Sequence, residues 1–232
     1  MNYKIAHFSI DDCSEVFLDL SSGCYHSIFD HYFFAFLKNV HELFSVKVTL
    51  YCFVDIPRLK DLYCMELKKC DWILLGVHAW NSNVTISNAS SALEEHISEI
   101  ESFYESFGGV SSISRLHFFD CSERLKQVLK NFGVDTLLTA DDCRNSYRLP
   151  LEIDDAVSEH GEIVYNGFRY IKSDFRIENS LKRLFHVCRS LLFKKRLFFF
   201  THEWFVKKRL HRIFMYIVFA VCKIRKLRFV AR

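Results

Sequence analysis

The chain is short of residues that break structure: among 232 positions there are two prolines, Pro57 and Pro150, and seven glycines. That scarcity excludes a flexible linker, and the sequence reads as a single domain over residues 1–232. Long apolar runs are missing as well. The longest in the C-terminal part, Ile213 to Cys222, has ten residues, half of the roughly 20 that a membrane-spanning helix needs. The first residues, Met1 to His7, lack the apolar centre and small-residue cleavage site of a signal peptide. Nine cysteines occur without Cys-x-x-Cys spacing, which argues for reduced thiols over a disulfide frame or a zinc knuckle. A cytoplasmic location is expected. There is no Gly-x-Gly-x-x-Gly, Walker loop, Gly-x-Ser-x-Gly elbow or Cys-His-Asn set, so nucleotide binding and serine or cysteine nucleophiles find no support.

What is plentiful is apolar and aromatic. Half the residues are hydrophobic and 24 are Phe, enough for a substantial core. The net charge of +3 hides an asymmetry. From Lys182 to Arg232 fifteen Lys/Arg face one acid, Glu203, whereas the rest of the chain carries 16 basic and 27 acidic residues. Such a division points to an anionic surface as partner. In and just before the basic amphipathic segment at about 206–232, Phe205, Ile213, Phe214, Ile217 and Val221 are flanked by Lys/Arg. It either touches an anionic membrane peripherally or packs its apolar face on the domain's sheet. No nucleic-acid-binding motif is present, so no nucleic acid is expected.

Periodicity gives alternating elements. Strands are expected at Lys4–Asp12, Lys47–Val54, Ile73–Trp80, Arg115–Phe119, Thr136–Ala140, Phe168–Ile171 and Leu197–Phe200, with a short last one at Leu227–Val230. Helices are expected at Ser27–Phe44, after Pro57, at Ser91–Phe107 with Gly108-Gly109 as a stop, at Ser122–Phe132, from about Ile177 to Leu192 and from about Val206 to Cys222. The acidic stretch Glu152–Glu162 shows no clear pattern. This cadence implies parallel strands with right-handed crossovers. The α/β fold expected is an incomplete (β/α)7-like TIM-type barrel, with a doubly wound open sheet as the alternative.

Four apolar segments end in chemically able residues: Asp11-Asp12, His78, Arg115-Leu116-His117 and His202-Glu203-Trp204. Strands of one parallel sheet would gather these at one rim, where such folds place their chemistry. Adjacent carboxylates disfavour joint ionisation, and a bound cation relieves that, leaving one as ligand and the other as base. Asp and His together suit zinc or a similar divalent ion. Strand alternation would put Arg115 and His117 on one face, with Arg115 free to orient a carboxylate. His202 beside the aromatic Trp204 suits a general acid acting on a sugar-sized substrate. Asp174 and Arg176 either pair with each other or orient a histidine.

At these residues the sequence resembles the polysaccharide deacetylase superfamily of carbohydrate esterases, in a divergent branch. The likeness runs from about Phe8 to Trp204 through Ser-Ile-Asp-Asp, Val-His-Ala, Arg-Leu-His and Thr-His-Glu-Trp, in order. The family's Thr-Phe-Asp-Asp-Gly motif stands here as Ser9-Ile10-Asp11-Asp12-Cys13. The match implies Asp11 as catalytic base, Asp12 and His78 as metal ligands, Arg115 as the arginine steadying the base, and His202 as general acid. Ser82 occupies the place of the second motif histidine; either His117 replaces it, or Asn81 or Ser82 binds weakly, or no metal binds. Trp80, Trp204 and Asp174 are the expected substrate contacts. The resemblance implies a divalent metal, zinc foremost, and a hydrolase that removes an acetyl or other acyl group from a carbohydrate. The alternative is a degenerate barrel that binds a glycan or a glycan-assembly partner.

Overall fold

Strand β1 (Ile5–Cys13) lies between the strands nearest to it in the computed structural model, which describes residues 4–107, 110–142, 145–179 and 184–230. Its residues alternate. Ala6, Phe8 and Ile10 enter the main core, where Phe8 meets Phe219, while Ser9 and Asp11 face the other way, toward Arg115. The other elements follow in the order α1 (Glu15–Ser22), α2 (Tyr32–Phe44), β2 (Val48–Phe53), α3 (Asp61–Lys69), β3 (Ile73–Ala79), α4 (Ala89–Glu94), α5 (Ile97–Phe107), β4 (Ile113–Ser114), α6 (Glu123–Asn131) and β5 (Thr136–Thr139). Then come α7 (Leu151–His160), β6 (Glu162–Tyr165), β7 (Phe168–Lys172), β8 (Phe175–Arg176), α8 (Leu184–Phe193), β9 (Arg196–His202), α9 (Glu203–Val206), α10 (Arg209–Ile224) and β10 (Arg228–Phe229).

The strands form a mixed α/β fold around parallel sheet, as the cadence of the sequence implies. One sheet runs β3-β2-β1-β9-β8, with β10 against the start of β1; the other runs β4-β5-β7-β6. All pairings are parallel except β6 with β7. The sheets approach at two seams. A single bridge joins Leu75 to Val110. At the other seam the chain leaving β7 gives Ser173 N–H to Thr139 and Asp174 N–H to Phe198. Tyr51, Ile113, Leu138, Ile171 and Phe198, drawn from both sheets, pack into one inner cluster. The result is barrel-like, with hydrogen-bond ladders that do not close. It is not the single open sheet of the alternative reading.

Strands β1, β2 and β3 are buried almost throughout, which is why they read as near-continuous apolar runs. Gly76 is small for a reason: a Cβ there would lie 2.9 Å from the ring of Tyr51, whose hydroxyl donates to the carbonyl of Ile113 at 2.8 Å.

Several boundaries differ from expectation. The Arg115–Phe119 strand is only Ile113–Ser114, followed by a 3-10 turn at His117–Phe119, because Phe118 and Phe119 take positive φ. The helix expected from Ser27 begins as a capped 3-10 turn (Ile28–Asp30), and α2 starts after His31, whose ring accepts the N–H of Phe33. One expected helix, Ser91–Phe107, is two, α4 and α5. The Ile177–Leu192 helix is a 3-10 turn at Ile177–Asn179 and then α8, with residues 180–183 outside the described ones. The Gly108-Gly109 stop also lies outside them. The acidic stretch is α7 and β6, and β6 turns into β7 through Asn166-Gly167, both at positive φ, the Asn-Gly pair favoured by tight hairpins. Among the described residues no helix is long and apolar enough to cross a membrane.

Candidate metal centre and active site

Regular β geometry is broken where the site residues stand. Asp12 has φ +58°, and the β1–β2 register slips between Ile10 and Cys13. Aspartate is one of the few residues that tolerate this left-handed region. The kink brings both carboxylates to one rim, although alternation alone would send Asp12 away from Asp11. Strand β3 uses the same device: its register with β2 slips between Val77 and Ala79, so His78 is the extra residue. Such bulges re-aim side chains. His117 arrives from the turn that ends β4.

The three side chains converge. Asp12 Oδ1 is 3.1 Å from His78 Nε2 and 3.2 Å from His117 Nδ1, and the two nitrogens are 3.2 Å apart. Ligands around a tetrahedral zinc at about 2.0–2.1 Å stand roughly 3.3 Å from one another. His78 Nδ1 lies 2.6 Å from the Arg115 carbonyl, which can only accept, so Nδ1 carries the ring hydrogen. In the neutral ring Nε2 is then the acceptor nitrogen, and it faces Asp12 Oδ1, a buried oxygen. A carboxylate oxygen and two imidazole nitrogens this close suit a shared positive charge. A divalent cation fits the donor set of one carboxylate and two imidazoles. Burial opposes charge on Asp12, but the facing His117 and His78 outweigh it and hold its carboxyl well below the usual carboxylate range. At His78 burial is likewise outweighed by Asp12, which raises the imidazole above its ordinary value.

Asp11 is gripped from the opposite side. Arg115 Nη1 donates to both its oxygens at 3.2 Å and to Ser9 Oγ at 3.0 Å, while Nη2 donates to Ser173 Oγ at 2.9 Å. The guanidinium lies 3.7 Å from the centre of the Phe200 ring, and Arg115 is 1 % exposed. Arg115 therefore fixes Asp11 with its side chain and the tautomer of His78 with its carbonyl. His202 stands at the end of β9, paired through Nδ1 with Glu178, with Nε2 3.7 Å from Asp12 Oδ2. Trp204 stacks on it at 4.6 Å between ring centres. The other Glu178 oxygen accepts from Thr201 Oγ1 at 2.9 Å.

Asp11, Asp12, His78, Arg115, His117, His202 and Trp204 are thus brought together. Two expected substrate contacts are placed otherwise. Trp80 stacks flat on His96, 3.5 Å between centres. Asp174 is buried, ion-paired with Lys194 and bonded to the N–H of Phe198. Phe198 is the register partner of His7, four residues before Asp11, so Asp174 sits roughly 13 Å down the strands from the rim. Nor does Asp174 pair with Arg176, which takes Asp141 at 3.3 Å. Ser82 is exposed, and the side-chain oxygen of Asn81 accepts the N–H of Asn83 at 3.0 Å, whereas His117 stands with Asp12 and His78 in the group that could hold an ion.

The sequence assigns no role to Ser9, Ser173, Glu178 or Glu203. Ser9 was accessible by alternation, two residues before Asp11. Glu203 accepts the N–H groups of Ser14, Glu15 and Val16, capping α1 from a distant part of the chain. No local spacing announces such a contact.

The sequence matches no family model and no curated protein. The fold does have relatives among solved structures. A family 4 carbohydrate esterase from Streptomyces lividans, in complex with acetate, is 10 % identical, with a TM-score of 0.51 over 97 % of this chain and 90 % of that one. A family 4 pseudoenzyme from Bacillus anthracis is 8 % identical, with a TM-score of 0.52 over 98 % and 63 %. A 4-alpha-glucanotransferase from Thermococcus litoralis is 12 % identical, with a TM-score of 0.54 over 99 % and 39 %. At these identities the likeness shows the fold, that of the family 4 polysaccharide deacetylases, and the site must argue for itself.

Proposed function

We propose that the protein is a metal-dependent hydrolase that removes an acetyl group from a carbohydrate. The observation that carries this reading is the triangle of Asp12 Oδ1, His78 Nε2 and His117 Nδ1, at 3.1–3.2 Å, with a second carboxylate and a third histidine beside it. Asp12, His78 and His117 would hold the ion, and zinc suits the set. A bound divalent ion supplies Lewis acidity, making water a nucleophile near neutral pH and polarising the acyl carbonyl. Asp11, oriented by Arg115, accepts the proton of the attacking water. His202, positioned by Glu178, donates a proton to the departing sugar oxygen or nitrogen, and Trp204 offers the sugar ring a flat apolar wall. Acid–base assistance of this kind contributes on the order of 10²–10⁴ in rate.

The competing reading, a barrel that binds glycan without hydrolysing it, draws on Ser82 standing where the family has a ligand histidine. Acetate release from N- and O-acetylated oligosaccharides, followed alongside metal content, separates the two. Asp11→Asn should keep the metal and stop turnover, and Asp12→Ala should lose both. Full metal stoichiometry in Asp12→Ala would remove the assignment. Saturable sugar binding without metal or turnover would favour the binding protein.

A further inference from the structure

The C-terminal part of the chain carries a surface that the site chemistry does not use. Helix α10 buries Met215, Val218, Phe219 and Cys222 against the core, so the packing expected of it is there. A second apolar stripe faces outward at helical spacing: Leu210 is 82 % exposed, Ile224 80 %, and Ile213 and Ile217 about half. Neighbouring α8, tied to α10 by Arg225 bonding to the carbonyls of Leu191 and Lys194, leaves Phe185, Leu192 and Phe193 exposed. Leaving aside Trp204, which stands beside His202, seven of the sixteen exposed large apolar residues fall within residues 184–230, about a fifth of the chain. They are therefore concentrated rather than scattered.

Charge says what covers this face. Residues 184–230 hold twelve Lys/Arg and one acid, Glu203, which is buried as the cap of α1. Lys208, Arg209, Arg212, Lys223 and Lys226 have no carboxylate partner among the described residues. A second copy of the chain would bring the same cations against them and be repelled. Nucleic acid would satisfy the cations but leave the leucine and isoleucines unused. A groove of about 420 Å³ between α2 and α10 is lined by Tyr32, Phe36, Arg209, Arg212, Ile213 and Tyr216, setting two guanidinium groups beside an apolar floor. That combination matches a phospholipid, with phosphate on arginine and acyl chain on isoleucine.

We infer that the α8–α10 face docks in the interfacial plane of an anionic lipid bilayer, with Leu210, Ile213 and Ile217 entering the headgroup–acyl boundary and the surrounding Lys/Arg holding anionic headgroups. This inference is independent of what the rim catalyses.

The test is flotation of the full chain with vesicles of phosphatidylcholine alone or with about 30 mol% phosphatidylserine. At least tenfold more protein should float with the anionic vesicles, and raising the salt to about 0.5 M should release it. Arg209→Gln with Arg212→Gln should lower partitioning roughly 25-fold, at roughly fivefold per basic side chain. Ile213→Ser with Ile217→Ser should lower it at least tenfold without loss of circular dichroism, since both side chains are exposed. Leu151→Ser, on α7, should change nothing. Flotation without preference for anionic lipid, or undiminished in the isoleucine variant, overturns the inference. So does binding confined to a DNA duplex or to a second copy of the chain.

Discussion

Removing His117 tests the proposed centre most directly. In metal-free protein the three facing atoms have no cation, and zinc should bind the folded chain alone. At a zinc concentration 100 times Kd the folded state gains about 2.7 kcal/mol. For a chain of this length that is a rise in Tm of about 5–10 °C, at about 2–4 °C per kcal/mol. Loss even of a residue that only supports a ligand lowers metal affinity about 10–100-fold, so loss of a direct donor should reach at least the upper figure. The same zinc concentration then equals Kd, the gain shrinks to about 0.4 kcal/mol, and the shift falls to about 1 °C. His117→Ala should show this collapse, with metal content dropping from about one ion per chain. Ser82→Ala, at an exposed position, should behave as wild type. The assay is thermal unfolding with and without zinc, paired with elemental analysis. A full shift in His117→Ala would refute the three-donor centre. Equal shifts in wild type and in the Asp12, His78 and His117 variants would mean that zinc binds elsewhere.

Arg115→Ala leaves Asp11 buried and unpaired, and removal of one partner of such a pair costs about 3–5 kcal/mol; a denaturant midpoint close to wild type would contradict the clamp. His7 is buried, which together with nearby Arg115 lowers its pKa to about 3. Its folded form stays neutral while the unfolded chain takes up a proton below pH 6.5, so its contribution is full above 6.5 and falls by about 1.4 kcal/mol per pH unit between 6.5 and 3. Urea midpoints of His7→Gln should fall less steeply than wild type over that interval, and parallel curves would dispose of the argument. Glu178→Gln should keep the metal and KM but lower kcat and move the alkaline pH limb that a general acid at His202 sets; an unchanged limb would leave Glu178 a purely structural partner.

The order of strands was legible because a buried parallel sheet writes itself as apolar runs, and β1, β2, β3 and β9 are such runs. So were the rim residues, because those runs stop at Asp11, His78 and His202. What lay outside the reach of periodicity was backbone that departs from it. Alternation put Arg115 and His117 on one face of a strand. The strand instead ends at Ser114 and the chain enters a 3-10 turn at His117–Phe119, with Arg115 reaching Asp11 and His117 reaching Asp12. Asp174 looked like a rim residue because it follows an apolar strand, but that strand bends at Ser173 to pass from one sheet to the other, and Asp174 stays low in the seam. The contacts of Glu178 and Glu203 depend on tertiary placement alone. The Asn166-Gly167 hairpin, by contrast, is written in the sequence by its Asn-Gly pair.

The same backbone fold serves an esterase, a pseudoenzyme and a glucanotransferase, so the local departures carry the functional argument here. Asp12, Phe118 and Phe119 stand in the left-handed region, a sparsely populated geometry worth on the order of 1–3 kcal/mol of strain each, and with the bulge at His78 they bring Asp12, His78 and His117 to one point. A barrel kept only as a scaffold has no need of this, and an amide at position 12 would suit it better. In Asp12→Asn the side-chain N–H₂ can donate to His78 Nε2, replacing an unfavourable meeting of acceptors by a hydrogen bond worth about 1 kcal/mol. In excess chelator and with the His78 ring neutral, Asp12→Asn should therefore be more stable than wild type by about that amount. With zinc present the order should reverse, because only wild type gains from the ion. Chemical denaturation in the two buffers measures both differences. A variant less stable than wild type in chelator would mean that the three atoms are content without a cation, and the metal reading would lose its structural basis.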